Sequence, residues 1–315
     1  MVRPMAHAAK EEISNGYESY YVPEQSKFPI WASFGLFVMV FGLANTLNDI
    51  KADVSATTSS WLAFSGFFIL SCVLYSWFAT QIRENNQGLP SAQLKHSYVL
   101  AMYWFIFSEV MFFCAFFGAL YYVRNLSVPW LGGEGAKGVA AMLWPNFEPI
   151  WPVIANPNPE LFENPEESMA WRGFGEALHY LPLWNTILLL SSSVTVHIAH
   201  TGLKDNNRKK LITWLSLTVL LGVVFLFLQM EEYSEAYSEL GLTLNSGIYG
   251  STFFLLTGFH GFHVTLGTFM LFVMLLRAIK GHFKPEDHFG FEAASWYWHF
   301  VDVVWVCLFL FVYIL

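Results

Sequence analysis

The residues able to do chemistry in this chain sit in unusually apolar company. Glu109 lies inside Phe105-Ile-Phe-Ser-Glu-Val-Met-Phe-Phe113, and its helical neighbours three and four residues away are all apolar. An intramembrane carboxyl marks a proton-linked site, or a neutral acid hydrogen-bonded to a neighbouring helix. His260 and His263 are three apart in Thr257-Gly-Phe-His-Gly-Phe-His-Val264, as are His197 and His200 further upstream. Paired histidines at that depth raise haem or copper ligation, which needs a partner from a second helix, such as His299. Helix packing is the competing reading. His299 and Asp302 share a helix face within the apolar run Phe291–Leu315. They read either as a structural lock between helices or as a proton relay. Arg83, Glu84, Arg277, Lys280, His282 and His288 gather at the ends of apolar runs. There they would hold anionic lipid headgroups or simply anchor the chain by positive charge.

Positioning these residues requires helices that cross a membrane. Of the 315 residues, 55% are apolar and only 13% are charged, about half the charged share of a soluble domain. Seven runs are long enough to span a bilayer: about Phe28–Leu47, Ser60–Thr80, His96–Tyr122, Leu183–Thr201, Lys210–Met230, Ser246–Arg277 and Phe291–Leu315. Residues 28–315 therefore read as one seven-helix, all-α membrane domain. A polar, proline-rich stretch at 123–182 interrupts it and belongs in an aqueous loop, with a helical piece expected over Pro165–Leu181. Residues 1–27 are polar and lack the apolar core of a signal peptide, so the first run is expected to be a retained span.

Charge sets the orientation. Twelve of the sixteen Lys and Arg fall on the side holding the N-terminus and the second, fourth and sixth connections. Lys51, Arg124, Lys137 and Arg172 fall on the other. The positive-inside rule places the N-terminus in the cytoplasm and the C-terminus outside. The outer face is acidic, with Glu231, Glu232, Glu235 and Glu239 read as a crowded solvated connection that could attract a cationic partner. A net charge of −8 with no basic patch argues against nucleic acid. Cys72, Cys114 and Cys307 each stand alone in apolar sequence and read as small buried hydrophobes. Neither a disulfide framework nor a thiolate metal site is expected.

Several stretches resemble the third subunit of haem-copper cytochrome c oxidases. Tyr249–Val264 is similar to that family's sixth span, and His288–Trp305 to its last. Ser108–Phe113 resembles its intramembrane glutamate motif, Trp184–His200 its fourth span, and Gln229–Ala236 the end of its fifth. The resemblance implies helices one and two set against helices three to seven around a V-shaped cleft that holds phospholipids. It implies a subunit with no catalytic residue and no metal of its own. Haem a, haem a3 and the copper centres CuA and CuB would belong to oxidase subunits 1 and 2, its partners, and cytochrome c would be the donor to the complex. The subunit would stabilise the catalytic subunit and sustain proton uptake in a proton-pumping, proton-translocating enzyme of aerobic respiration. The family's carbodiimide-reactive glutamate corresponds to Glu109. Its lipid-contacting positions correspond to Arg83, Glu84, Arg277, Lys280 and His282. The long 123–182 loop and the N-terminal segment depart from the mitochondrial pattern and point to a bacterial version in the inner membrane. The readings in competition are a haem-bearing carrier using His260 and His263, and a proton-coupled carrier using Glu109 and Asp302.

Overall fold

The computed structural model describes residues 21–22, 25–171 and 173–315. Most of the 1–27 segment lies outside the described residues, as does Arg172 of the charge count. Among the described residues, seven helices are long and apolar enough to cross a membrane. They are α1 (Phe28–Lys51), α2 (Thr57–Asn86), α3 (Ala92–Tyr122), α4 (Leu181–Lys204), α5 (Arg208–Ser238), α6 (Gly247–Lys280) and α7 (Phe289–Leu308). The described residues form no strand. Hydrocarbon offers the backbone no hydrogen-bond partner, so each apolar run closes its own bonds as a helix.

Local chemistry sets the ends. Proline opens α1 and α4, where a missing N–H costs nothing. The Asn207 side chain caps α5 by accepting from the Lys210 N–H at 3.1 Å. Gly281, at φ 74°, ends α6 in the left-handed conformation that glycine tolerates. Lys51, Arg83, Lys204, Arg277 and Lys280 fall in last turns, facing the negative end of the helix dipole. Several helices outrun their apolar runs; α2 continues to Asn86 rather than stopping near Thr80. Backbone hydrogen bonding does not end where hydrocarbon ends. The α3 column likewise continues through a π-helical stretch, Val123–Ser127, and a further turn, Val128–Leu131. The last helix closes on another π-helical stretch, Phe309–Ile314.

The chain divides into two units, residues 1–100 and 101–315. Within the first, α1 and α2 pack with their backbones nearly touching. A Cβ on Gly42 would lie 2.3 Å from the Ala63 nitrogen, and one on Gly66 only 2.2 Å from that of Met39. Small residues allow this approach, and it maximises dispersion where no hydrophobic drive separates helix from lipid.

The second unit is built around α7. Half of its most apolar window is buried, against 6% to 11% for α1, α2 and α3. Trp298 is fully buried in a groove formed by Gly222 of α5 and Gly267 of α6. Its indole N–H donates to Ser192 Oγ of α4 at 2.9 Å. Trp305, seven residues further along the same face, donates to Thr186 Oγ1 at 2.9 Å. Tyr103 of α3 stacks on Trp296 at 5.1 Å.

The long loop does not form the helix expected over Pro165–Leu181; only Phe174–His179 is helical, as a 3-10 turn. Tertiary partners take the backbone groups that such a helix would use. The Glu166 N–H donates to the Leu240 carbonyl, Trp171 N–H to the Tyr313 carbonyl, and Met169 N–H to the Tyr249 hydroxyl. The Met169 carbonyl accepts from the Tyr180 hydroxyl at 2.9 Å. The cysteine expectation is also corrected. Cys72 and Cys114 are exposed and Cys307 is half-buried, because an apolar membrane face turns outward to lipid as readily as inward.

Replacing Gly42 or Gly66 by alanine should push α1 and α2 apart and cost about 1–3 kcal/mol. Gly118→Ala, which meets nothing within 4 Å, should stay within about 0.5 kcal/mol of the parent. Thermal unfolding of the purified chain in one detergent checks both.

Candidate functional site

Glu109 meets its partner across the bundle. On α3 its carboxylate Oε2 lies 2.8 Å from His263 Nε2 of α6. The other imidazole nitrogen, Nδ1, lies 2.6 Å from the Phe259 carbonyl oxygen. A carbonyl can only accept, so Nδ1 carries a hydrogen. The hydrogen bond between Nε2 and Oε2 must then hold one proton. It rests on the carboxyl of a neutral pair or on the imidazole of an ion pair. The pair is therefore a one-proton station, and the partner that its own span lacks is a histidine.

Aromatic packing positions this station. Phe112 meets Phe259 edge to face at 5.1 Å, and Phe113 meets the His263 ring at 5.0 Å. The pair opens on a cavity of about 450 Å³ that Ser108, Phe262, Leu266 and Tyr297 also line. His263 is almost fully buried, whereas the Glu109 side chain is 23% exposed. The carboxyl thus forms the accessible end of the pair.

The remaining histidines take different places. His260 is fully buried, with its ring 5.1 Å from Trp305 and 5.9 Å from Phe225. His299 Nδ1 shares a hydrogen bond of 2.8 Å with Ser193 Oγ of α4 and stands 3.5 Å from Asp302 Oδ2. Asp302 is buried, and neither of its oxygens has a hydrogen-bond donor among the described residues. His299 thus ties α7 to α4, while Glu109 and Asp302 answer to different partners. These placements do not fit a haem. Axial ligation needs a free ring nitrogen facing a slot wide enough for a macrocycle. His263 is committed through both ring nitrogens, and His260 is packed against two aromatic rings.

A second buried carboxyl, Glu232, departs from the sequence expectation. Glu232 belongs to α5, not to a solvated connection, and is fully buried. Its Oε1 accepts from the Tyr313 hydroxyl at 2.5 Å, and the uncapped polar ends of Asn185 and Gln229 are buried as well. The signal was available. The buried stripe of α5 runs Leu211, Leu215, Thr218, Gly222, Phe225, Gln229, Glu232, Ala236, alternating steps of four and three. That is the period of a helix seam, and Glu232 falls on it.

At the membrane edge of the second unit, Arg277 lies over the Phe283 ring at 4.6 Å. Partial burial and the charges of Arg277 and Lys280 push the His282 imidazole below its ordinary pKa. Below about pH 6.5 the unfolded chain takes up a proton that folded His282 resists, so this group lowers stability as pH falls. In the first unit, Arg83 donates to Thr80 Oγ1 at 3.3 Å, and Glu84 accepts from Gln81 at 3.3 Å.

Comparison with known proteins adds a separate line. The family model for cytochrome c oxidase subunit III matches residues 18–140 and 163–315. The cytochrome c oxidase subunit 3 of Cyprinus carpio is 37% identical over 310 residues, covering 98% of either chain. That of Gadus morhua is 38% identical over 296 residues, covering 94% of this chain and 96% of the relative. That of Squalus acanthias is 38% identical over 310 residues, again covering 98% of either.

Tyr313→Phe should leave buried Glu232 without its donor and cost about 1–3 kcal/mol. Combined with Glu232→Leu it should cost less than the sum of the two single changes, because the acceptor goes with the donor. Unfolding midpoints of the four forms measure that coupling.

Proposed function

The chain belongs to the cytochrome c oxidase subunit III family, and from that membership we propose that its Glu109–His263 pair supports proton uptake by the oxidase complex. The chain is a multi-pass, non-catalytic subunit of the oxidase. The observation that carries the proton reading is the 2.8 Å contact between Glu109 and His263 beside a cavity of about 450 Å³. A station holding one proton, with its carboxyl partly open to the surroundings, can take up and return protons without redox chemistry of its own. The haem a, haem a3 and copper centres sit in subunits 1 and 2 on this reading, and cytochrome c delivers electrons to the complex. The packing of His260 and His263 supports that assignment.

The reading extends to lipid and location. Arg277, Lys280 and His282 share one membrane edge of the second unit, and Arg83 ends a helix of the first. Cations there hold the phosphates of bound phospholipids. The excess of Lys and Arg in the N-terminal segment and the second, fourth and sixth connections supports an N-terminus in the cytoplasm and a C-terminus outside. The membrane is the inner membrane of a bacterium, a reading supported by the stretch 141–162, which the family model leaves unmatched.

Glu109→Gln should assemble normally and keep oxygen reduction. Its loss should fall on protons pumped per electron, or on lifetime during turnover. Complete loss of electron transfer in an assembled complex would contradict the proposal. Replacing Arg277 and Lys280 by glutamine should lower the anionic phospholipid retained per purified complex. An unchanged lipid content, read by mass spectrometry, would sink the lipid assignment.

A further inference from the structure

At the end of α4 the fold assembles three donor atoms that no sequence motif joins. His200 Nε2 lies 3.4 Å from His288 Nε2 and 3.4 Å from Glu292 Oε1. His288 Nε2 lies 3.3 Å from the same carboxylate oxygen. The three atoms make a nearly equilateral triangle. Ligand atoms held about 2.0–2.1 Å from a tetrahedral zinc stand about 3.3–3.4 Å from one another. The triangle therefore needs no rearrangement to accept such an ion.

The surrounding bonds fit the same use. His288 Nδ1 lies 3.2 Å from the Lys284 carbonyl oxygen, which can only accept. Nδ1 therefore carries the hydrogen, and in the neutral imidazole Nε2 presents its lone pair toward the other two donors. A ligating histidine is held in this way when its second nitrogen is hydrogen-bonded to a carbonyl. Fully buried Phe291 packs 5.5 Å from the His200 ring and limits how that ring can turn. His288 and Glu292 are four residues apart, so consecutive turns at the start of α7 fix their spacing. The side chains are 16%, 10% and 29% exposed for His200, His288 and Glu292. A small ion can reach them, yet they are sheltered from bulk water. Two imidazoles and one carboxylate form a borderline donor set suited to zinc-class divalent ions, not to calcium or magnesium.

We propose that His200, His288 and Glu292 form a three-ligand site for a zinc-class divalent cation, with water as the fourth ligand. The ion clamps the end of α4 to the beginning of α7. This inference rests on the triangle alone and stands apart from the proton role of Glu109.

The test uses the purified complex saturated with zinc. Anomalous diffraction at the zinc edge should place a peak within the triangle. X-ray absorption should report nitrogen and oxygen donors about 2.0 Å away. His288→Gln and Glu292→Gln should each lose one bound zinc per complex on equilibrium dialysis, with the subunit still assembled. Absence of a peak at the triangle, or equal zinc counts in parent and variants, would overturn the proposal. If the variants fail to assemble, the anomalous map of the unaltered complex decides alone.

Discussion

The packing of Trp298 is the contact on which the larger unit depends. A fully buried indole of this size needs both an apolar bed and a partner for its N–H. Two glycines on different helices supply the bed, because any side chain there would strike the ring. Ser192 on a third helix supplies the acceptor. One side chain of α7 therefore fixes its position against α4, α5 and α6 together. Trp305 repeats the device against Thr186, Phe225 and His260. Hydrocarbon solvent gives helices no hydrophobic reason to associate, so close fit and a few hydrogen bonds must do it.

With α7 fixed as the core, polar groups acquire defined addresses. Tyr313 at its end reaches Glu232, and His299 reaches Ser193. Glu109 enters from α3, the helix of this unit least enclosed by it, and meets His263 of α6. These carboxyls have different characters for a physical reason. Glu232 is sealed and held by a phenol, so it serves packing. Glu109 is partly open, beside a cavity, and held by a group that can itself carry a proton. Only the second arrangement leaves a carboxyl partly open beside a cavity.

The same logic separates the two ends of the bundle. On one side the long loop is bound down through the Glu166, Met169 and Trp171 backbone to the α5–α6 connection, to Tyr249 and to the last turn of the chain. On the other side, Arg277, Lys280, His282 and the His200–His288–Glu292 triangle lie at helix ends. Charged groups there remain hydrated enough to be tolerated.

The sequence alone determined the seven spans, because a run of some twenty apolar residues has few alternatives in a bilayer. It also supplied the family resemblance, since motifs such as Ser108–Phe113 and His288–Trp305 are long and contiguous. It singled out Glu109, because a carboxyl among phenylalanines is conspicuous from composition. It did not supply the partner of Glu109, the burial of Glu232, the loop over Pro165–Leu181 or the histidine–glutamate triangle. Each of these joins residues far apart in the chain, such as Glu109 with His263, Glu232 with Tyr313, and His200 with His288 and Glu292. Helical periodicity reports which face of one helix is apolar. Which face of another helix it meets is decided by close packing across the bundle, and that exists only in the folded chain.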